Sequence, residues 1–292
     1  TLREKTSKTN AFSFSSTHSF PWIKRGKRRS GCFRSNEITT SHYTARNFLF
    51  KNLFQQFQRA ANVYFLVIGC LQLDVFFPGL SPTHWSTTIG PLLVVLSINA
   101  AKEAVDDYGR HKSDAEVNAR TVEVVRVKEE SPDGKKTVVL ESTAWRDLRV
   151  GDVAKVRADA EIPADLLLVA SADVSSLAYV ETANLDGETN LKVKTTAPID
   201  GAREALGELD NADALVSVFT QKNARLACEA PNNQLYKFEG KWITGGEEGG
   251  DGNSSETEIG LSADNVLLRG STLRNAKFVF GVVVFTGGDT KL

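Results

Sequence analysis

Apolar residues crowd into two runs between residues 60 and 101, and beyond residue 113 they thin into short alternating stretches. The first run, residues 60–77, reads AANVYFLVIGCLQLDVFF, and the second, residues 85–101, reads WSTTIGPLLVVLSINAA. At about 1.5 Å of rise per residue, each is long enough for most of a bilayer crossing. Pro78-Gly79 and Ser81-Pro82 break any helix between them. Either run alone also fits a buried core helix. Two runs joined by a short turn without Lys or Arg, with basic residues on both outer sides, predict a transmembrane helical hairpin over residues 60–78 and 85–112. The bias of basic residues puts Arg59 and Lys102 on the cytoplasmic side and the turn at 78–85 outside, with Trp85 as an interfacial anchor.

The polar pattern on either side extends this picture. Residues 102–120, KEAVDDYGRHKSDAEVNAR, carry Asp106/Arg110 and Arg110/Asp114 at i,i+4 spacing, so the second helix is expected to run on as a charged cytoplasmic extension. Upstream, residues 36–59 form a pre-membrane segment. Within it Phe48, Leu49, Leu53, Phe54 and Phe57 recur near helical spacing, which predicts an amphipathic helix lying on the membrane surface. Residues 1–35 are rich in Ser, Thr and basic residues and read as a disordered cytoplasmic tail.

From residue 113 to 292 the period shifts to two. Candidate strands cover residues 121–127, 136–140, 152–156, 166–170, 178–181, 191–195, 265–268 and 278–285, with turn signals at Pro132-Asp133-Gly134, Val150-Gly151-Asp152 and 162–165. Residues 200–225 are expected to be helical, and residues 244–258, TGGEEGGDGNSSETE, to be a flexible acidic loop. Many short strands with turn signals imply a small sandwich or distorted barrel.

Net charge is −1, so bulk charge points to no partner, but its distribution does. Residues 1–59 are basic, with Glu4 and Glu37 the only acids, and residues 60–101 hold no Lys or Arg and one acid, Asp74. The basic cluster Lys24, Arg25, Lys27, Arg28 and Arg29 reads equally as a contact for anionic lipid and as a solvated tail. Cys32, Cys70 and Cys228 lack metal-ligand spacing, which argues against a zinc site or a disulfide scaffold and for free thiols. The chain begins at Thr1 and contains no Met, so a fragment or processed product is expected.

The candidate chemistry lies in residues 184–192, Asn-Leu-Asp-Gly-Glu-Thr-Asn-Leu-Lys. Asp186-Gly187 is first a tight-turn signal, because Gly accepts positive φ. On such an exposed turn Glu188 offers a carboxylate able to act outside its own domain. Leu148–Asp152 (LRVGD) followed by Ile162–Asp165 (IPAD) resembles the actuator domain of the P-type ATPases. The stretches 43–66, 87–102, 180–192, 228–240 and 264–292 look more narrowly like class IV of that family, the phospholipid flippases. Asp-Gly-Glu-Thr is the flippase form of a loop that ion pumps usually carry as Thr-Gly-Glu-Ser.

The resemblance implies an α+β fold: a transmembrane α-helical hairpin plus a mostly β actuator domain of distorted jelly-roll or sandwich form. It implies that the whole protein transfers phosphate from ATP, with Mg²⁺, to an aspartate in another domain, and that the actuator loop then hydrolyses the aspartyl phosphate. Glu188 is the expected catalytic carboxylate, with Asp186, Gly187 and Thr189 positioning it. Rotation of the actuator pulls on the first two membrane helices. Gln72 matches the first half of a polar pair associated with head-group choice, although Leu73 departs from a Gln-Gln pattern, and Gly288 stands where the family often has His. The resemblance further implies a phospholipid substrate, an accessory β subunit and a multi-pass protein of the plasma membrane or Golgi and endosomal membranes. No nucleic acid is expected as a partner. The sequence contains no Asp-Lys-Thr-Gly-Thr phosphorylation motif, so ATP and Mg²⁺ are expected to bind domains outside it. An ion or polyamine pump and a non-catalytic membrane-tethered β domain are the alternatives. Asp-Gly-Glu-Thr and residues 228–240 speak against the pump.

Overall fold

The computed structural model describes residues 10–15, 22–25, 34–73, 84–129, 136–199, 225–244 and 257–291. The chain divides into two units, residues 39–117 and residues 1–38 with 118–292.

The smaller unit is helical: α1 (Phe48–Phe57), α2 (Ala60–Leu71) and most of α3 (Ser86–Ala119). Helix α1 is amphipathic in an inverted sense. Asn52 and Gln56 are buried, while Leu49, Phe50 and Phe54 are exposed, Phe50 to 75%. The buried amides find partners: Gln56 Nε2 donates to Asn52 Oδ1 (2.6 Å) and to the Leu96 carbonyl (3.2 Å), and Asn62 Nδ2 donates to the Gln56 carbonyl (2.7 Å). Gly69 brings α2 close to α3, since a Cβ there would lie 2.5 Å from Ile89 Cγ1. Leu92 and Leu96 of α3 are buried, whereas Leu93, Val94, Val95 and Ile98 are exposed.

Among the described residues α3 is long and apolar enough to cross a membrane, and α2 is a shorter apolar helix. Helix α2 ends at Leu71, short of the expected 78; residues 74–83, with the 78–85 turn in large part, lie outside the described residues. The charged end of α3 continues past 112 to Ala119. Its salt bridges differ from the i,i+4 expectation: Arg110 pairs with Glu103 (2.9 Å) and Asp107 (3.3 Å). Asp107 and Asp114 also accept backbone N–H groups of Thr40, Ser41, His42 and Tyr43 at 2.8–3.2 Å, which straps residues 40–43 along the helix.

Among the described residues the larger unit holds three antiparallel sheets. Strands β1 (Asn10–Ser15), β2 (Trp22–Arg25), β9 (Arg225–Cys228), β10 (Gly240–Thr244) and β11 (Thr257–Leu261) form one, in the order β11-β10-β9-β1-β2. Within residues 1–35, expected as a disordered tail, two described stretches pair as strands, β1 with β9 and β2 with β1. The second sheet, β12-β6-β14-β5-β3-β4, joins β3 (Thr121–Glu129), β4 (Lys136–Ala144), β5 (Val153–Arg157), β6 (Asp165–Ser171), β12 (Val266–Leu267) and β14 (Phe278–Phe285). The third, β13-β7-β8, joins β7 (Leu177–Glu181), β8 (Lys192–Thr195) and β13 (Thr272–Arg274). The helix expected at 200–225 lies outside the described residues up to 224, and Arg225 opens β9. Of the loop expected at 244–258, residues 245–256 likewise lie outside the described residues, while Thr244 ends β10 and Thr257 opens β11.

Strands β6 and β14 are buried along almost their whole length because both faces of the central sheet are covered. Alternate residues feed two separate cores. Leu167, Val169, Val282 and Val284 pack with Leu226, Trp242 and Leu261 of the five-stranded sheet, and Leu166, Leu168, Val279 and Val283 pack with Ala178, Val180 and Leu273 of the three-stranded sheet. Polar residues fix the edges. Buried Asp165 accepts the Arg269 and Lys291 N–H groups, each at 2.9 Å, and burial leads the causes that raise its pKa above the ordinary 3.8. Asn36 clasps the upstream segment to the unit, donating to the carbonyls of Trp145 and Pro163 and accepting the Gly287 N–H (3.0 Å). Gly287, at φ 56°, leaves no room for a Cβ against the Ser35 carbonyl.

Candidate functional site around Glu188

The expected site residues other than Gln72 lie on one connection, residues 182–191 between β7 and β8. Their form differs from a two-residue turn. Residues Ala183–Asp186 make a single helical turn, α4, and Gly187 ends it at φ 75°, a left-handed cap that glycine adopts without a Cβ penalty. A Cβ at Gly187 would meet nothing within 4 Å, so the requirement is purely one of backbone conformation. Glu188 and Thr189 follow the cap and are exposed, Glu188 to 60% of its side chain.

Asp186 is the fixed point. Its carboxylate accepts the Thr182 hydroxyl at 3.0 Å, the Glu188 N–H at 3.0 Å, the Tyr236 hydroxyl at 2.6 Å and the Lys192 ammonium. The bond from Lys192, then that from Tyr236, hold its carboxyl well below the usual carboxylate range. Lys192 also reaches Glu188 Oε2 at 3.0 Å. Desolvation works against the Lys192 ammonium, yet its bonds to Asp186, Tyr236 and Glu188 outweigh it and raise its pKa above the ordinary lysine value. Glu188 is thus a carboxylate held at its backbone by Asp186 and at its side chain by Lys192, with most of its surface in solvent. Such a group can accept a proton from a water held against it by a partner.

Sequence reasoning singled out Asp186, Gly187, Glu188 and Thr189 but missed Lys192 and Tyr236. Lys192 stands at i+4 from Glu188, a visible signal. Tyr236 comes from the connection between β9 and β10, 44 residues further on, and no local pattern marks it. Gln72 is not part of this cluster; it lies in the helical unit, where its N–H caps α2 by donating to the Ile68 carbonyl (3.1 Å). Cys70 and Cys228 are free thiols, and burial pushes the Cys228 thiol up to about 12. Among the described residues no cluster of three His, Cys, Asp or Glu side chains could hold a metal ion.

A sequence profile described as "Phospholipid-translocating ATPase N-terminal" matches residues 22–89. The chain is 43% identical over 261 residues to phospholipid-transporting ATPase IC of Xenopus tropicalis and 41% over 260 residues to that of Homo sapiens, in each case across 89% of this chain. It is 38% identical over 260 residues to phospholipid-transporting ATPase DRS2 of Saccharomyces cerevisiae, again across 89% of this chain. Over 89% of its length the chain is similar to phospholipid-transporting ATPases. It spans 17–18% of the length of these relatives.

Proposed function

We propose that this chain is the membrane-hairpin and actuator portion of an ATP-driven phospholipid-translocating ATPase, and that its Glu188 loop hydrolyses the aspartyl phosphate formed elsewhere in the transporter. The single observation that carries the reading is Glu188 itself: a carboxylate 60% exposed and paired with Lys192, on a connection whose Asp186 accepts from four donors. Exposure suits a group that acts on a bond in another domain. Fixed neighbours suit one that must aim at a single water.

In the proposed step Glu188 accepts a proton from water as the water oxygen attacks phosphorus. The phosphorus–oxygen bond to the aspartate breaks, and the aspartate leaves as a carboxylate. ATP and Mg²⁺ serve the earlier phosphorylation and, by family likeness, would be held by other parts of the transporter. Residues 60–78 and 85–101 are proposed to cross the membrane, with residues 102–112 as the cytoplasmic extension of the second helix. Support comes from the exposed apolar faces of α2 and α3. Gln72 is proposed to meet the phospholipid head group at the outer end of the first crossing. The plasma membrane or Golgi and endosomal membranes, and an accessory β subunit, complete the proposal by family likeness.

The test is Glu188→Gln in the full-length transporter. Gln keeps size and reach but cannot take up the proton, and loss of a general base slows a step by about 10²–10⁴-fold. Phosphoprotein should form from labelled ATP and fail to decay in a chase with unlabelled ATP. Decay at the wild-type rate removes Glu188 from the mechanism.

A further inference from the structure

Tyr236 lies in a turn and outside both hydrophobic cores. Its side chain belongs to the connection between β9 and β10, is 64% exposed, and still makes three defined contacts. The hydroxyl donates to Asp186 Oδ2 at 2.6 Å and accepts from Lys192 Nζ at 3.1 Å, and the ring lies 4.5 Å from the same ammonium. A side chain so exposed gains little from burial, so these polar contacts fix its place. They also bridge two distant parts of the chain, for Tyr236 and Asp186 are 50 residues apart.

The connection that carries Tyr236 is itself anchored. Lys291, with 1% of its side chain exposed, donates to Glu229 Oε1 (3.0 Å), Asn232 Oδ1 (2.9 Å) and the Lys237 carbonyl (2.7 Å), gripping the stretch on both sides of Tyr236. The Glu229 N–H donates to the Glu239 carbonyl (3.0 Å), closing its ends together. Rigidity thus passes from the buried ammonium to the connection, from Tyr236 to Asp186, and from Asp186 Oδ1 to the Glu188 N–H.

We infer that Tyr236 is a positioning residue for Glu188, acting through Asp186 and Lys192. The inference rests on the proposed role of Glu188 in aspartyl-phosphate hydrolysis. Tyr236 takes no proton and touches no reacting atom; its hydroxyl restricts the arc over which the Glu188 carboxylate can move. Removing that hydroxyl leaves Asp186 and Lys192 paired but less constrained, so hydrolysis slows while the earlier phosphorylation, which does not use this loop, is unaffected.

Tyr236→Phe in the full-length transporter tests this, because it keeps the ring beside Lys192 and deletes only the hydroxyl. Phosphoenzyme formation and the KM for ATP should stay at wild-type values, while phosphoenzyme decay slows by about five- to tenfold, the size expected from one lost hydrogen bond. Asp186→Asn should slow decay too, and the double variant should decay no more slowly than the slower single one, since both act through the same contact. Wild-type decay in Tyr236→Phe, alongside slowed decay in Glu188→Gln, overturns the inference and leaves the role of Glu188 standing. Multiplying effects of the two substitutions also overturn it. Wild-type decay in Glu188→Gln brings down both.

Discussion

Asp186 is a residue whose charge is worth more to the fold than its position on the surface suggests. The Thr182 hydroxyl, the Glu188 amide, Tyr236 and Lys192 all donate to it, and every one of those bonds favours the ionised form. Its folded pKa therefore lies below the ordinary 3.8. A depressed carboxyl pKa stabilises the folded loop fully above the unfolded value, and that stabilisation is lost as pH falls through the folded one. The Glu188 amide should keep its protection against hydrogen exchange from neutral pH down to about 4 and lose it progressively in stronger acid, after correction for intrinsic exchange. Asp186→Asn in the full-length transporter should flatten this dependence. Protection that is the same at pH 3 and pH 6 would show that the four donors do not depend on the charge. Of this cluster, Asp186, Gly187 and Glu188 were legible in sequence because Asp-Gly is a strong local signal. The conformation was not, since a helical turn closed by a left-handed Gly and a two-residue turn share those letters. Tyr236 was hidden altogether, because it reaches Asp186 from 50 residues further along the chain, on the connection between β9 and β10.

At the level of elements, legibility follows how much of a segment is buried on one face. Strands β3, β5, β6, β7, β8 and β14 were expected within a few residues, β6 and β14 from unbroken apolar runs that mark a sheet covered on both sides. Strands β9, β10, β11 and β13 are three to five residues long and carry too few alternations to stand out. Helix α1 was expected from its apolar spacing, yet the inward placement of Asn52 and Gln56 becomes intelligible only when the Leu96 carbonyl is seen beside them. Gly69 gives the helical unit a sharper test. An added Cβ would lie 2.5 Å from Ile89 Cγ1, so a larger side chain must push Ile89 into another rotamer or part the helices. Overpacking of this kind typically costs about 1–3 kcal/mol. Gly69→Leu should lower the unfolding temperature of the purified transporter in detergent, and Ile89→Ala added to it should recover part of the loss. An unchanged unfolding temperature would mean that α2 and α3 do not pack closely at this point.

At the level of the whole molecule, the two units keep their apolar residues in opposite places. In the β unit Leu166, Leu167, Leu168, Phe280 and Val283 are buried, as a water-soluble core demands. In the helical unit Tyr64, Phe65, Val67, Val94, Val95 and Ile98 are exposed along α2 and α3. In water each such side chain forfeits roughly 25 cal/mol per Å² of apolar surface left uncovered, so a stripe of them favours a lipid environment. The charge pattern predicts a direction for the proposed crossing. No Lys or Arg occurs from residue 60 to 101, whereas Arg59 and Lys102 bound the interval. Basic residues are retained on the cytoplasmic side, so both flanks should face the cytoplasm and residues 78–85 the opposite side. A single cysteine introduced by Ser81→Cys in an otherwise cysteine-free full-length transporter should react with an impermeant thiol reagent on intact cells, or in the inverse sense on sealed vesicles of an internal membrane. One introduced by Ser131→Cys should react only after permeabilisation, because residue 131 follows the second crossing within the β unit. Equal reactivity at both positions before permeabilisation would place both on one side of the membrane, which a hairpin of two crossings does not allow.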